Sequence, residues 1–123
     1  VGDKSDILFG THGQFTTAGA IRLGKAIEPY SPMWFEEPIP PDNLSEFKKV
    51  QSALSIPIAT GERFTTKMEF AEVLKSGGAS IIQPALGRAA DVRRAKRLLP
   101  TPQPKRPRIA RVVDRRRPTA WAV

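Results

Sequence analysis

The chain has 123 residues, enough for one small domain with its own core. It contains no cysteine, which excludes disulfides and thiolate metal sites. No run reaches the ~20 apolar residues a membrane span needs, and no signal-peptide pattern is expected, so a cytoplasmic protein is expected. The net charge of +8 is not spread evenly: residues 1–87 carry 8 Lys+Arg against 10 Asp+Glu, and residues 88–123 carry 12 against 2. The chain therefore reads as two unlike segments, placed at 1–90 and 91–123, and not as one basic protein. Its first residue is Val1, which suggests a piece cut from something longer.

Asp6-Ile7-Leu8-Phe9-Gly10 reads as a short strand. Thr16 to Tyr30 reads as a helix: Ala18, Ile21, Leu23, Ala26 and Ile27 give it an apolar face, Thr16 or Thr17 caps it, and Pro29 and Pro32 bracket its end. Pro32-Met33-Trp34-Phe35-Glu36 is a second strand. Pro40-Pro41-Asp42-Asn43 makes a turn, with Asp42 or Asn43 as the next cap, and Leu44, Phe47, Val50 and Leu54 form a stripe at helical spacing.

Ile56-Pro57-Ile58-Ala59-Thr60 is a third strand. Thr65-Thr66 opens a helix with Met68, Phe70, Ala71 and Leu74 on its faces, and Glu69 completes a capping box with Thr66. Gly77-Gly78 ends it, Ser80-Ile81-Ile82-Gln83 is a fourth strand, and Arg88 to Leu98 starts a fourth helix. The strands are short continuous apolar runs, as in a parallel sheet covered on both sides. Their alternation with helices implies βαβ units. Four such units are about half of a (β/α)8 barrel, whose full length is ~250 residues. A flavodoxin-like open sheet is the rival, but no strand is followed by a glycine-rich phosphate loop. From Pro100 the text is Arg- and Pro-rich and is expected to be disordered in isolation.

The strand ends fall near Gly10, Glu36, Glu62 and Gln83, at intervals of 26, 26 and 21 residues. Each glutamate taken singly reads as an ordinary surface residue. Taken together, Glu36 and Glu62 deliver carboxylates to one rim from neighbouring strands, which suits a hard divalent cation such as Mg2+. One interval before Glu36 stands Gly10, where a third carboxylate is missing. Trp34 and Phe35 read as core.

Trp34-Phe35-Glu36-Glu37-Pro38, followed by Ile56-Pro57-Ile58-Ala59-Thr60-Gly61-Glu62, resembles the mandelate racemase/muconate lactonizing branch of the enolase superfamily. Ala20-Ile21-Arg22-Leu23, Glu28-Pro29-Tyr30 and Gly78-Ala79-Ser80-Ile81-Ile82-Gln83-Pro84 fit as well, and the resemblance covers about residues 3–90. It implies a (β/α)8 barrel with a separate capping domain, Mg2+ held by three carboxylates, and abstraction of a proton α to a carboxylate by a Lys or His base. Carried over, Glu36 and Glu62 match the second and third metal ligands and Gly10 the first, normally Asp. His12 matches a general acid/base of acid-sugar dehydratases, a polar rim residue being the alternative. Arg63 binds a substrate carboxylate or forms a supporting salt bridge, and Gln83 binds substrate or lines the rim. Ala85 falls where many members carry an Asp that orients a catalytic histidine. The resemblance places the Lys-x-Lys base motif ahead of Val1.

The resemblance implies a sugar-acid substrate and a dehydratase or racemase, with a lactone-forming cycloisomerase as the alternative. The 123-residue chain alone is expected to be inactive and to self-associate through its cut sheet edges. Where the family would continue past Leu86-Gly87-Arg88, the sequence turns basic, and a reading-frame shift near residues 88–92 is expected. The rival is a non-catalytic half-barrel with a basic nucleic-acid arm. That reading is disfavoured because Trp121 is the tail's one aromatic.

Overall fold

Short apolar runs punctuated by prolines and capping residues become four parallel strands with a helix between each pair. The computed structural model describes residues 5–85. The strands are β1 (Leu8–Gly10), β2 (Trp34–Glu36), β3 (Ile58–Thr60) and β4 (Ile81–Ile82), in the order β1-β2-β3-β4. Every pairing is parallel, with Gly10 opposite Glu36, Glu36 opposite Ala59, and Ala59 opposite Ile81. Consecutive parallel neighbours, each joined by a helical crossover, are the repeat from which a (β/α)8 barrel is built. The strands are shorter than the apolar runs predict, because each run's flanking residues enter the loops. The expected helix from Arg88, the basic tail and the expected frame shift lie outside the described residues.

Helix α1 (Thr17–Ile27) is capped by Thr16, not Thr17, whose side chain accepts from the Gly19 N–H at 3.2 Å. It stops earlier than predicted. Pro29 cannot donate the next helical hydrogen bond, so Glu28–Tyr30 tightens into a 3-10 turn and Ser31 leaves it with φ 48°. The buried stripe also differs from the predicted face. Ala20 and Gly24 are buried, with Ile21, Leu23 and Ile27 packed alongside, while Ala18 and Ala26 face solvent. Gly24 lets α1 approach its neighbour: a Cβ there would lie 2.3 Å from Leu54 Cδ1.

Helix α2 (Leu44–Ala53) is capped by Asn43, not Asp42, and Glu46 in its first turn accepts from Thr17 Oγ1 at 2.6 Å. This contact ties the starts of α1 and α2 together. Helix α3 (Lys67–Ser76) carries the predicted capping box between Thr66 and Glu69. Its buried residues are Phe70 and Val73. Met68, placed on a packing face by the sequence reading, is 74% exposed, because the Phe70–Val73 stripe turns it outward.

Alternate residues of a strand face opposite ways. Phe35 and Ile58 pack with Ala20, Phe47, Val50 and Leu54 on the helix side, and Ile82 packs with Phe64, Phe70 and Val73. Trp34, Ala59 and Ile81 form a separate cluster on the other face. Trp34 and Phe35 are therefore both core, on opposite sides of the sheet. Each buried large side chain contributes roughly 1.5–3 kcal/mol. No helix among the described residues is long and apolar enough to cross a membrane.

Candidate active site

The carboxyl ends of the parallel strands carry His12, Glu36, Glu37, Glu62, Arg63 and Gln83. Glu36 is the last residue of β2 and is half-buried. Its register puts it on the face of Trp34, Ala59 and Ile81, which is the inner face of a barrel built on this repeat. Trp34 Nε1 donates to Glu36 Oε2 over a long 3.4 Å. Gly10 is paired with Glu36, and a Cβ on Gly10 would lie 3.9 Å from Glu36 Cβ, in ordinary contact. A side chain at position 10 would thus stand beside Glu36.

Glu62 reaches the rim by a different route. β3 ends at Thr60, and Gly61 follows with φ 131°. A Cβ at Gly61 would meet Gln83 N at 3.0 Å, so the turn needs glycine twice over, for its dihedral and for its closeness to β4. Glu62 Oε1 then lies 2.8 Å from His12 Nδ1. The His12 side chain is 66% exposed and its backbone is left-handed, with φ 55°. An exposed contact of this kind contributes at most about 1 kcal/mol to stability.

Glu37 is the residue whose role sequence reasoning missed. It is fully buried and left-handed at φ 39°. Such a backbone costs of order 1–3 kcal/mol in a non-glycine residue and persists only where contacts enforce it. Its carbonyl accepts from Gly13 N at 2.6 Å and from Thr11 Oγ1 at 2.9 Å. Its carboxylate Oε1 accepts from Thr60 Oγ1 at 3.3 Å. Oε2 lies 3.0 Å from Arg63 Nε but off the N–H direction, so it receives the charge without a directed hydrogen bond. Burial pushes the Glu37 carboxyl above the usual range, the Arg63 charge pulls it down, and the nearby Glu62 adds to the upward push. The one signal in the sequence was the doubled glutamate before Pro38.

Arg63 also donates through Nη2 to the His12 carbonyl. Of its two expected roles, these contacts are those of a supporting salt bridge. Gln83 is 5% exposed, and its Oε1 finds no hydrogen-bond partner among the described residues.

Donor atoms of His12, Glu37 and Glu62 lie within 4.8 Å of one another. Glu37, however, already faces the Arg63 guanidinium, and a second cation there would be repelled by it. Glu62 belongs to that group and Glu36 does not. Mg2+ keeps several waters and takes only one or two protein carboxylates with an oxygen-bearing substrate. Glu36 is the rim glutamate that stands beside the open position at Gly10.

Four parallel strands with helical crossovers and acidic residues at the carboxyl ends are the repeat of part of a (β/α)8 barrel and its carboxyl-terminal rim. Residues 1–100 match the family described as enolase C-terminal domain-like, and the chain belongs to that family. The match runs ten residues past the boundary expected at residue 90. The chain is 39% identical over 90 residues to a D-galactonate dehydratase of Cronobacter sakazakii, covering 72% of this chain and 24% of that protein. A mandelate racemase/muconate lactonizing enzyme-like protein from Roseovarius sp. TM1035 is 66% identical and superposes with a TM-score of 0.76, over 80% of this chain and 25% of that one. A racemase from Streptomyces coelicolor A3(2), solved with bound magnesium, is 25% identical at a TM-score of 0.76, over 79% of this chain and 27% of that one. The chain thus spans about a quarter of the length of the relatives it matches.

Proposed function

We propose that this chain is part of a Mg2+-dependent enzyme that removes the proton α to a carboxylate, and that the reaction is dehydration of a sugar acid. The observation that carries this reading is the His12 ring set against Glu62, one strand from Glu36, in a chain whose matched relatives include sugar-acid dehydratases. Glu36 and Glu62 would hold the Mg2+, which when bound supplies stabilisation of the negative charge that develops on the substrate carboxylate.

His12 supplies the proton. In a dehydration the α C–H proton passes to a base other than His12. The hydroxyl on the neighbouring carbon then leaves with the His12 proton as water, and the enol product becomes a 2-keto acid. An exposed imidazole at the rim is suited to that donation. The orphaned Gln83 Oε1 would accept from a substrate hydroxyl, which would relieve a buried group of its missing partner. Substrate contact therefore falls to Gln83 more than to Arg63, whose guanidinium is taken up by Glu37 and His12. A racemase or a lactone-forming cycloisomerase would share the proton abstraction and differ in the fate of the resulting enolate.

On this reading the 123-residue chain is inactive by itself, is located in the cytoplasm, and self-associates through the edges of β1 and β4. The Arg/Pro-rich stretch from residue 91 is read as a segment apart from the barrel repeat, although the family match reaches residue 100. Nucleic acid is not its partner, and a small sugar acid is the partner of the whole enzyme. Reading codons 80–123 in all three frames tests whether that stretch is out of frame: recovery of a Gly-Gly loop and a further strand in another frame supports the shift.

The catalytic reading is tested in the longer enzyme that carries this stretch, in D2O. His12→Asn should abolish loss of water while exchange of the α-proton with solvent continues. Unchanged dehydration by that variant would sink the assignment.

A further inference from the structure

We propose that Glu37 and Arg63 are positioning residues: together they form a clamp whose task is to hold His12 in the backbone conformation that sets its ring on Glu62. The loop of residues 11–13 touches Glu37 and Arg63 through three hydrogen bonds. Thr11 Oγ1 and Gly13 N both donate to the Glu37 carbonyl, at 2.9 and 2.6 Å. The Arg63 guanidinium bridges the Glu37 carboxylate, at 3.0 Å, and the His12 carbonyl. A Cβ at Gly13 would lie 3.2 Å from Arg63 Nη2, so guanidinium and loop are in close contact.

The two ends of this arrangement are the two left-handed non-glycine residues at the rim, His12 at φ 55° and Glu37 at φ 39°. Neither conformation is favoured by the residue itself, so each needs an external constraint. Each supplies the other's. Glu37 is held by Thr60 below and Arg63 beside it, and it holds the residues on both sides of His12. His12 itself is mostly exposed, and its Nδ1 lies 2.8 Å from Oε1 of the half-buried Glu62. Its ring position is therefore set through its backbone. Burying a carboxylate without an aligned hydrogen bond on Oε2 is costly, and it makes sense where a fixed charge is needed to aim a guanidinium.

Arginine is required in this geometry. A planar fork reaches the carboxylate through one nitrogen and the loop carbonyl through another, whereas a lysine ammonium would have to choose between them. The inference rests on the proposed role of His12 for its catalytic meaning, but its structural content stands apart from it.

His12 is the one histidine of the chain, which makes its ring a clean reporter. The experiment is nitrogen-15 NMR of the imidazole in the 123-residue chain at about pH 9, where an ordinary imidazole is neutral. A free neutral histidine favours the proton on Nε2. Against the Glu62 carboxylate the proton belongs on Nδ1, so the wild-type ring should be mostly the Nδ1–H form. Glu37→Gln keeps the side chain's size and removes the charge that aims Arg63. It should return the ring to the Nε2–H form while the amide spectrum stays dispersed. If Glu37→Gln does not fold, Arg63→Lys at a half-exposed site carries the test with the same expected shift. A return to the Nε2–H form while the amide spectrum stays dispersed separates loss of the clamp from a general loss of stability. A wild-type ring already in the Nε2–H form, or variants that keep the wild-type ratio, would overturn the clamp. Failure of the dehydration test with the NMR result intact would overturn only the catalytic role of His12.

Discussion

Restoring a carboxylate at Gly10 is the perturbation that bears most directly on the incomplete rim. Gly10→Asp meets no steric obstacle: the new Cβ has one neighbour within 4 Å, Glu36 Cβ at 3.9 Å. Its backbone is ordinary strand, in register with Glu36. The cost is electrostatic. Two carboxylates about 5 Å apart repel by about 3 kcal/mol at an effective dielectric of about 20. Exposure at position 10 and rotamer freedom reduce this to about 1 kcal/mol at moderate salt. For a domain of this size that is a fall in Tm of about 4–8 °C. Mg2+ reverses the sign, because a third carboxylate turns the repulsion into attraction for the cation. A cation at a hundred times its Kd adds about 2.7 kcal/mol to the stability of the folded state. Thermal melts of wild type and Gly10→Asp, each in EDTA and in Mg2+, should show the variant melting lower without the ion and gaining more from it. A variant whose gain from Mg2+ equals that of wild type would refute the placement of position 10 at the cation site.

Gly24→Ala should destabilise the fold by about 1 kcal/mol: alanine gains about 1 kcal/mol of helix propensity, but the overlap with Leu54, 2.3 Å to Cδ1 and 3.1 Å to Cγ, costs about 1–3 kcal/mol in a core that cannot yield. Urea midpoints check it, and a stabilised variant would contradict the close approach of α1 and α2. The acid limb of stability should depend on Glu28. The Ser55 backbone N–H first, and then Lys25, hold its carboxyl below the ordinary glutamate range. A depressed folded value means the contribution is present above the ordinary range of about 4.3 and is lost as pH falls through the Glu28 value. Glu28→Gln should therefore flatten the fall of urea midpoints on acidification. An unchanged acid limb would show that Glu28 is not held as described.

Much of the architecture was legible because it is local. Thr66 and Glu69 sit three apart, and Pro29 forbids the next helical hydrogen bond. Apolar runs of strand length separated by helical stripes leave parallel βαβ units as the natural reading. Glu36 was placed correctly at a strand end because the run before it ends there. Glu62 was placed at the rim, but the turn at Gly61 that brings it there depends on the approach of β4, which is 20 residues further on in the sequence. The faces of α1 and α3 were misread where one small or flexible residue could satisfy two stripes. Met68 fits a helical period as well as Val73 does, and only the position of the sheet decides between them.

Glu37 was invisible for a stronger reason. Strand alternation does not place Glu37, because β2 ends at Glu36 and Glu37 lies in the loop that follows. Its burial comes from Thr60 and Arg63, which lie 23 and 26 residues away, and its left-handed backbone comes from the loop of β1. The same non-local logic governs His12, whose partner Glu62 is 50 residues distant. Periodicity can carry a carboxylate to a rim. It does not say which side chains the rim then brings together.

The central claim is that Glu36 and Glu62, and not the tighter group containing Glu37, hold a divalent cation. Calorimetric titration of Mg2+ into the wild-type chain and into Glu36→Gln, Glu62→Gln and Glu37→Gln tests it directly. Each of the first two variants should weaken binding at least tenfold, about 1.4 kcal/mol, with a much smaller effect from Glu37→Gln. Binding that survives Glu36→Gln unchanged and disappears in Glu37→Gln would contradict it.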